Sequence, residues 1–152
     1  MSGFRAQPLR MEILLVEDNP ADACLMKQAF LAGGYQCNLH VAEDGVEALA
    51  YLTQHGKYRE ATRPDLVVLD LNLPKLTGHE VLAQIKKDEQ LKEIPVVVMT
   101  TSSNEQDLRE SYNLHANCFI TKPRELDDFT RIISALEDFW FHRALLPTGS
   151  LH

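Results

Sequence analysis

The feature that most constrains this chain is a repeated alternation: a short apolar run halts at polar residues, and an amphipathic stretch with helical spacing follows. Five such runs stand at Met11 to Val16, Cys37 to Val41, Leu66 to Leu69, Val96 to Met99 and Cys118 to Thr121. Each is too short for a helix and has the length of a strand. Leu66–Leu69 and Val96–Met99 are apolar at every position, as expected of central parallel strands covered on both faces. Strands that alternate with helices predict a doubly wound α/β fold, with five parallel strands and five helices in flavodoxin-like order.

The intervening stretches carry helix signals. Asn19-Pro20 reads as an N-cap followed by a first-turn proline, with Leu25, Met26, Ala29 and Phe30 as the buried stripe beside Asp22 and with Gly33-Gly34 as the stop. A second helix is predicted from Gly45 to about His55, burying Val46, Leu49, Ala50 and Leu52. Thr77 can cap a third, which carries Val81, Leu82 and Ile85. Ser102 and Glu105 have the spacing of a capping box for a fourth helix with little apolar content. Phe129, Ile132, Ile133 and Leu136 recur at helical spacing in a long fifth helix.

Composition then narrows the function classes. At 152 residues with 45% hydrophobic and 24% charged content, one soluble domain with a sizeable core is expected. There is no apolar run long enough to cross a bilayer and no signal-peptide pattern, so no membrane role is expected. Cys24, Cys37 and Cys118 are odd in number and far apart, which suits reduced thiols of a cytoplasmic protein, all read as core or near-core residues. The net charge of −7 disfavours nucleic-acid binding, because phosphate contacts are made mostly by Lys and Arg. The six histidines show no ligand spacing.

In a doubly wound fold, ligands sit at the carboxyl ends of the strands. The residues there are Glu17-Asp18, Asp70, Thr100 and Lys122. Three crowded carboxylates repel one another, and hard oxygen ligands in this number suit Mg²⁺. A carboxylate can attack phosphorus to give an acyl phosphate, with the metal, Lys122 and Thr100 holding the transferred oxygens. A lone acid at a strand end is ordinarily a solvated loop residue or a cap. Four groups at one sheet edge are harder to explain that way.

In these residues the chain resembles a response-regulator receiver domain of two-component signalling. The matching text is LLVEDNPAD, DLVVLDLNLPKLTGHEVL, IPVVVMTTS and CFITKP, with Pro74 and Gly78 at the family's loop positions. The resemblance implies Asp70 as phosphoacceptor and Asp18 as a direct Mg²⁺ ligand. It implies Glu17 as a ligand through water and the Asn72 backbone carbonyl as a further ligand. Lys122 is implied to pair with the phosphoryl group, while Thr100 and Phe119 switch in response. The one departure is Thr101, where the family usually carries a small residue.

SYNLHANCFITKP and SALEDFWFHRALLP are similar to the single-domain regulators that pair with phytochrome-type histidine kinases. That likeness implies a histidine-kinase partner of phytochrome type, no output domain and a homodimer. The receiver domain is expected over 11–147, with terminal tails at 1–10 and 148–152. On an α-helix Phe139, Trp140 and Phe141 fan over about 200° and cannot all face the core. With Leu145 and Leu146 they form the expected dimer surface, the other reading being a tail folded back over its own domain.

Competing readings lack their signatures. A haloacid-dehalogenase-type phosphatase needs a second acid two residues after its nucleophile, where this chain has Asn72. The glycine-rich loops of Rossmann dehydrogenases and P-loop enzymes are also missing. A degenerate receiver acting only as a binding scaffold would not need Asp70, Thr100 and Lys122 together.

Overall fold

The computed structural model describes residues 10–33, 35–102 and 104–143, with side chains described through residue 140. The elements run β1 (Met11–Val16), α1 (Pro20–Ala32), β2 (Cys37–Ala42), α2 (Gly45–Thr53), a 3-10 turn at Gly56–Tyr58, β3 (Leu66–Leu69) and α3 (Gly78–Lys87). They continue with β4 (Val96–Thr100), α4 (Glu105–Asn113), β5 (Cys118–Thr121), α5 (Leu126–Glu137) and a π-helical turn over Asp138–Arg143. All strand pairs are parallel, in the order β2-β1-β3-β4-β5. This is the predicted doubly wound sheet.

Side chains alternate across a strand, so each buried strand feeds two cores. Ile13, Leu15, Leu66, Val68, Val97 and Met99 face α1 and α5, where Met26, Phe30, Phe129 and Ile133 meet them. Leu14, Val16, Val67, Leu69, Val96 and Val98 face the other layer, with Leu52, Val81, Leu82 and Ile85. Each fully buried side chain of this size contributes roughly 1.5–3 kcal/mol relative to an exposed one.

Several local expectations are corrected. Val46 is exposed, and the inward stripe of α2 is Gly45, Ala48 and Leu52. The helix begins at Gly45 as expected, and at about 100° per residue an inward face made by Gly45, Ala48 and Leu52 leaves Val46 pointing outward. Cys24 is exposed, while Cys37 and Cys118 are half-buried. Helix α4 has no Ser102–Glu105 capping box. Its N-cap is Asn104, whose side chain accepts from the Gln106 amide at 2.7 Å. The Ser102 hydroxyl instead donates to Asp107 at 2.7 Å.

The last helix does not continue as α beyond Glu137. The chain widens into a π turn there, so the α-helical fan assumed for Phe139 and its neighbours does not apply. Phe139 is 52% exposed. Trp140 is half-buried against the α1/α5 core and meets the Phe139 ring edge-on at 4.9 Å. The Phe141 side chain lies outside the described side chains, and Leu145 and Leu146 lie outside the described residues.

Candidate functional site

Four of the five strands that end at this edge, β1, β3, β4 and β5, deliver the parts of the site. β1 runs into Glu17, buried at 1% exposure, and Asp18, which is exposed. β3 runs into Asp70, 5% exposed, whose amide donates to the Val16 carbonyl at 3.0 Å. β4 ends at the fully buried Thr100, and its carbonyl accepts the Lys122 amide at 2.6 Å. That last bond brings the residue after β5 level with the others.

The chain leaves Asp70 through a tight loop. The Asn72 amide donates to Asp70 Oδ1 at 3.2 Å, and the Gly78 amide donates to the Leu71 carbonyl at 2.9 Å. Gly78 has to be small, since a Cβ there would lie 2.3 Å from the Asp70 carbonyl oxygen and 2.5 Å from Leu71 Cα. Helix α3 begins immediately beside this loop because Thr77 and Glu80 form a full capping box. On the outer side, Lys75 of the loop pairs at 3.3 Å with Asp44, the N-cap of α2.

Lys122 is the electrostatic centre. Its ammonium lies 2.6 Å from Glu17 Oε1, 2.9 Å from Asp22 Oδ2 and 3.0 Å from Asp70 Oδ2. The last two are hydrogen bonds. The Glu17 contact is an ion pair whose angle completes no hydrogen bond, so Oε1 stays a buried acceptor without a donor. Burial alone would push the Lys122 ammonium down, but the carboxylates of Glu17, Asp22 and Asp70 overcome it and hold its pKa raised. Glu17 is pushed up by burial and by the Asp70 charge, against the pull of Lys122.

One ligand oxygen from each of Glu17, Asp18 and Asp70 lies within 4.8 Å of the others. One ammonium cannot neutralise these acids and Asp22 together. The all-oxygen donor set and the unsatisfied Glu17 oxygen fit a hard divalent cation. Asp70 also offers a buried carboxylate with a cation beside it, which is what covalent attack on an electrophilic phosphorus requires.

The structure thus brings Glu17, Asp18, Asp70, Thr100 and Lys122 to one sheet edge, with the Asn72 backbone against Asp70. Phe119 sits half-buried on β5, on the face that packs against α2 to α4, and is paired with Val98. Sequence reasoning missed Asp22 as a member. The available signal was an acid on the same helical face as Leu25, Met26 and Ala29, where an apolar residue would be expected.

A model of the response regulator receiver domain matches residues 13–134. Response regulator Rcp1 of Synechocystis sp. is 47% identical over 137 residues, covering 90% of this chain and 93% of that protein. The crystal structure of the phosphorylated cyanobacterial phytochrome response regulator RcpA superposes with a TM-score of 0.88 at 50% identity, covering 91% of this chain and 99% of that one. The Mn²⁺-bound form of Rcp1 superposes with a TM-score of 0.86 at 46% identity, covering 91% and 99%. With the sheet order, the acidic edge and the family match in agreement, the chain belongs to the response regulator receiver family.

Proposed function

We propose that Asp70 accepts a phosphoryl group from a phosphohistidine of a histidine kinase, with Mg²⁺ bound by Glu17, Asp18, Asp70 and the Asn72 backbone carbonyl. The observation that carries this reading is a buried Asp70 with Lys122 at 3.0 Å on one oxygen and two further acids beside it. A carboxylate oxygen of Asp70 forms the new O–P bond while the P–N bond breaks and its electron pair returns to the imidazole nitrogen. Mg²⁺ supplies charge neutralisation on the transferred oxygens. Lys122 binds another of those oxygens.

Phosphorylation adds about −1.5 to −2 charges and several acceptor oxygens. The Thr100 hydroxyl, which now accepts from the Ser102 amide at 3.4 Å, turns to donate to the new group. The space it leaves biases Phe119, so the signal emerges on the α4–β5 face. The chemistry is self-directed, with no separate substrate turned over. A phytochrome-type kinase is the partner suggested by the names of the relatives RcpA and Rcp1. The free thiols of Cys24, Cys37 and Cys118 support a cytoplasmic location. Among the described residues, no helix is long and apolar enough to cross a membrane.

We also propose a homodimer through the β5–α5 face, within a domain running over 11–147. Phe139 and Trp140 border a groove of about 510 Å³ there, lined mainly by Cys118, Ile120, Ile132 and Leu136. An exposed apolar surface of this kind commonly marks an interface. Phe139→Glu should turn a sedimenting dimer into a monomer with its fold unchanged, and a dimer that survives the substitution rejects this face.

The phosphorylation reading is tested by exposing the protein to acetyl phosphate and Mg²⁺ and weighing it intact. A phosphoryl adduct that disappears in Asp70→Asn is expected. An undiminished adduct in the variant rejects the assignment.

A further inference from the structure

The ammonium of Lys122 has three N–H donors, and one of the two hydrogen bonds it makes here goes to an acid outside the cation cluster. Asp22, in the first turn of α1, accepts from Lys122 Nζ at 2.9 Å, with its side chain one-quarter exposed and that of Lys122 only 4% exposed. The three acids grouped closely enough to share a cation are Glu17, Asp18 and Asp70, and Asp22 is not among them. A cation therefore draws on two of the three carboxylates around Lys122 and leaves it the third. A phosphoryl group on Asp70 makes that loss complete, because one Asp70 oxygen is then tied into the mixed-anhydride linkage to phosphorus.

We propose that Asp22 is a positioning residue: it holds the Lys122 ammonium at the mouth of the site while Glu17 and Asp70 turn to the cation and the phosphoryl group. The role rests on Asp70 being the phosphoacceptor. Lys122 is a flexible chain with a compact charge, and its stem follows directly on a strand end. Without Asp22 nothing of fixed geometry directs its head once the cation is bound.

A purely local role for Asp22 is also open to a first-turn acid. Its charge is favoured by the helix dipole, and its own amide donates to the Asn19 side chain at 3.1 Å. That role would alter the stability of α1 and leave Lys122 alone. The acceptor geometry separates the two, because an amide oxygen can replace a carboxylate oxygen toward Lys122 whereas a methyl group cannot.

The experiment uses the full chain with Asp22→Asn, Asp22→Ala and Asp22→Leu. In the Mg²⁺-loaded protein, before any phosphoryl donor is added, the lysine ammonium is observed by ¹⁵N–¹H correlation at mildly acidic pH. Wild type and Asp22→Asn should show a resolved, slowly exchanging Lys122 signal, and Asp22→Ala and Asp22→Leu should lose it to exchange. With acetyl phosphate and Mg²⁺, uptake of the phosphoryl group should slow about tenfold in Asp22→Ala and Asp22→Leu and stay within about threefold in Asp22→Asn, as expected when a charged group loses its orientation.

Circular dichroism checks that α1 is intact in each variant. A Lys122 signal that survives Asp22→Ala overturns the proposal, as does wild-type uptake by Asp22→Ala. Equal slowing in Asp22→Asn and Asp22→Ala would assign the effect to charge alone and also overturn it. Wild-type protein that takes up no phosphoryl group would instead overturn the reading of Asp70, a result the spectra taken before acetyl phosphate is added cannot produce.

Discussion

Two buried glutamates stand at opposite ends of the sheet and show what turns a buried acid into chemistry. Glu17 at the carboxyl end of β1 and Glu137 at the end of α5 are each 1% exposed. Burial is the largest influence on both and pushes both carboxyls upward. Their neighbours differ. Glu17 faces Lys122 and shares its cluster with Asp18 and Asp70. Glu137 has no cation partner among the described residues. The Cys37 thiol donates to it at 3.8 Å, and its other oxygen fills the space a Cβ on Gly33 would take.

Burial makes both acids hard to ionise, but only one has a fixed positive charge beside it that favours the anion. Glu17 can therefore serve a cation. Both rise to about 7, and Glu137, with no cation beside it, acts as a clasp between α5 and the α1–β2 turn. It in turn helps hold the Cys37 thiol up at about 12, after burial.

The sharpest way to break this comparison is to disable each end in turn. Asp70→Asn should abolish acetyl-phosphate labelling, and Glu137→Gln should leave it intact, read by intact-protein mass. Loss of labelling in both would mean that the two ends are coupled.

The next largest effect is the pH dependence of stability at the Glu137 end. Its folded value of about 7 lies above the ordinary 4.5. The stabilisation it gives is thus fully present below pH 4.5 and is lost as the pH rises through about 7. At 1.36 kcal/mol per unit, the loss is on the order of 3 kcal/mol. Glu137→Gln should flatten that slope in urea unfolding between about pH 5 and pH 8. A slope unchanged by the substitution would show that Glu137 titrates normally.

A similar magnitude belongs to the other end. Mg²⁺ at a hundredfold excess over its Kd should stabilise the protein by about 2.7 kcal/mol. Asp18→Ala should remove most of that gain in thermal melting, while Glu137→Gln keeps it. An equal gain in wild type and Asp18→Ala would place the metal elsewhere.

The smallest contrast concerns two glycines. A Cβ on Gly78 would meet backbone of Asp70 and Leu71, whereas a Cβ on Gly33 would meet the end of the Glu137 side chain at 2.0 Å. Backbone cannot yield as a side chain can, so Gly78→Ala should destabilise by about 1–3 kcal/mol and Gly33→Ala by about 1 kcal/mol less. Adding Glu137→Ala should relieve Gly33→Ala and leave Gly78→Ala unchanged, a double-mutant cycle read by urea unfolding.

Much of this was legible in the chain because it is local. The five strands appear where the apolar runs stand, and the residues that terminate them meet at one edge because parallel strands share a direction. Asn19 and Thr77 cap their helices as their neighbours demand. Ser102 misled because a capping box is only a spacing, and Asn104 lay closer to the turn that formed. Val46 misled because an apolar residue need not lie on the buried face, and which face of α2 turns inward is decided by packing on the sheet.

The sequence by itself determined the alternation, the sheet and the acids at its carboxyl edge, since periods of two and of 3.6 residues and the shared strand direction need no knowledge of distant neighbours. Only the tertiary structure decided which partners the two decisive groups would find. Lys122 meets Asp22, and Glu137 meets Cys37, each across 100 residues of chain. Such contacts follow from how α1 and α5 rotate and cross on their common face of the sheet, a packing geometry that no local pattern encodes.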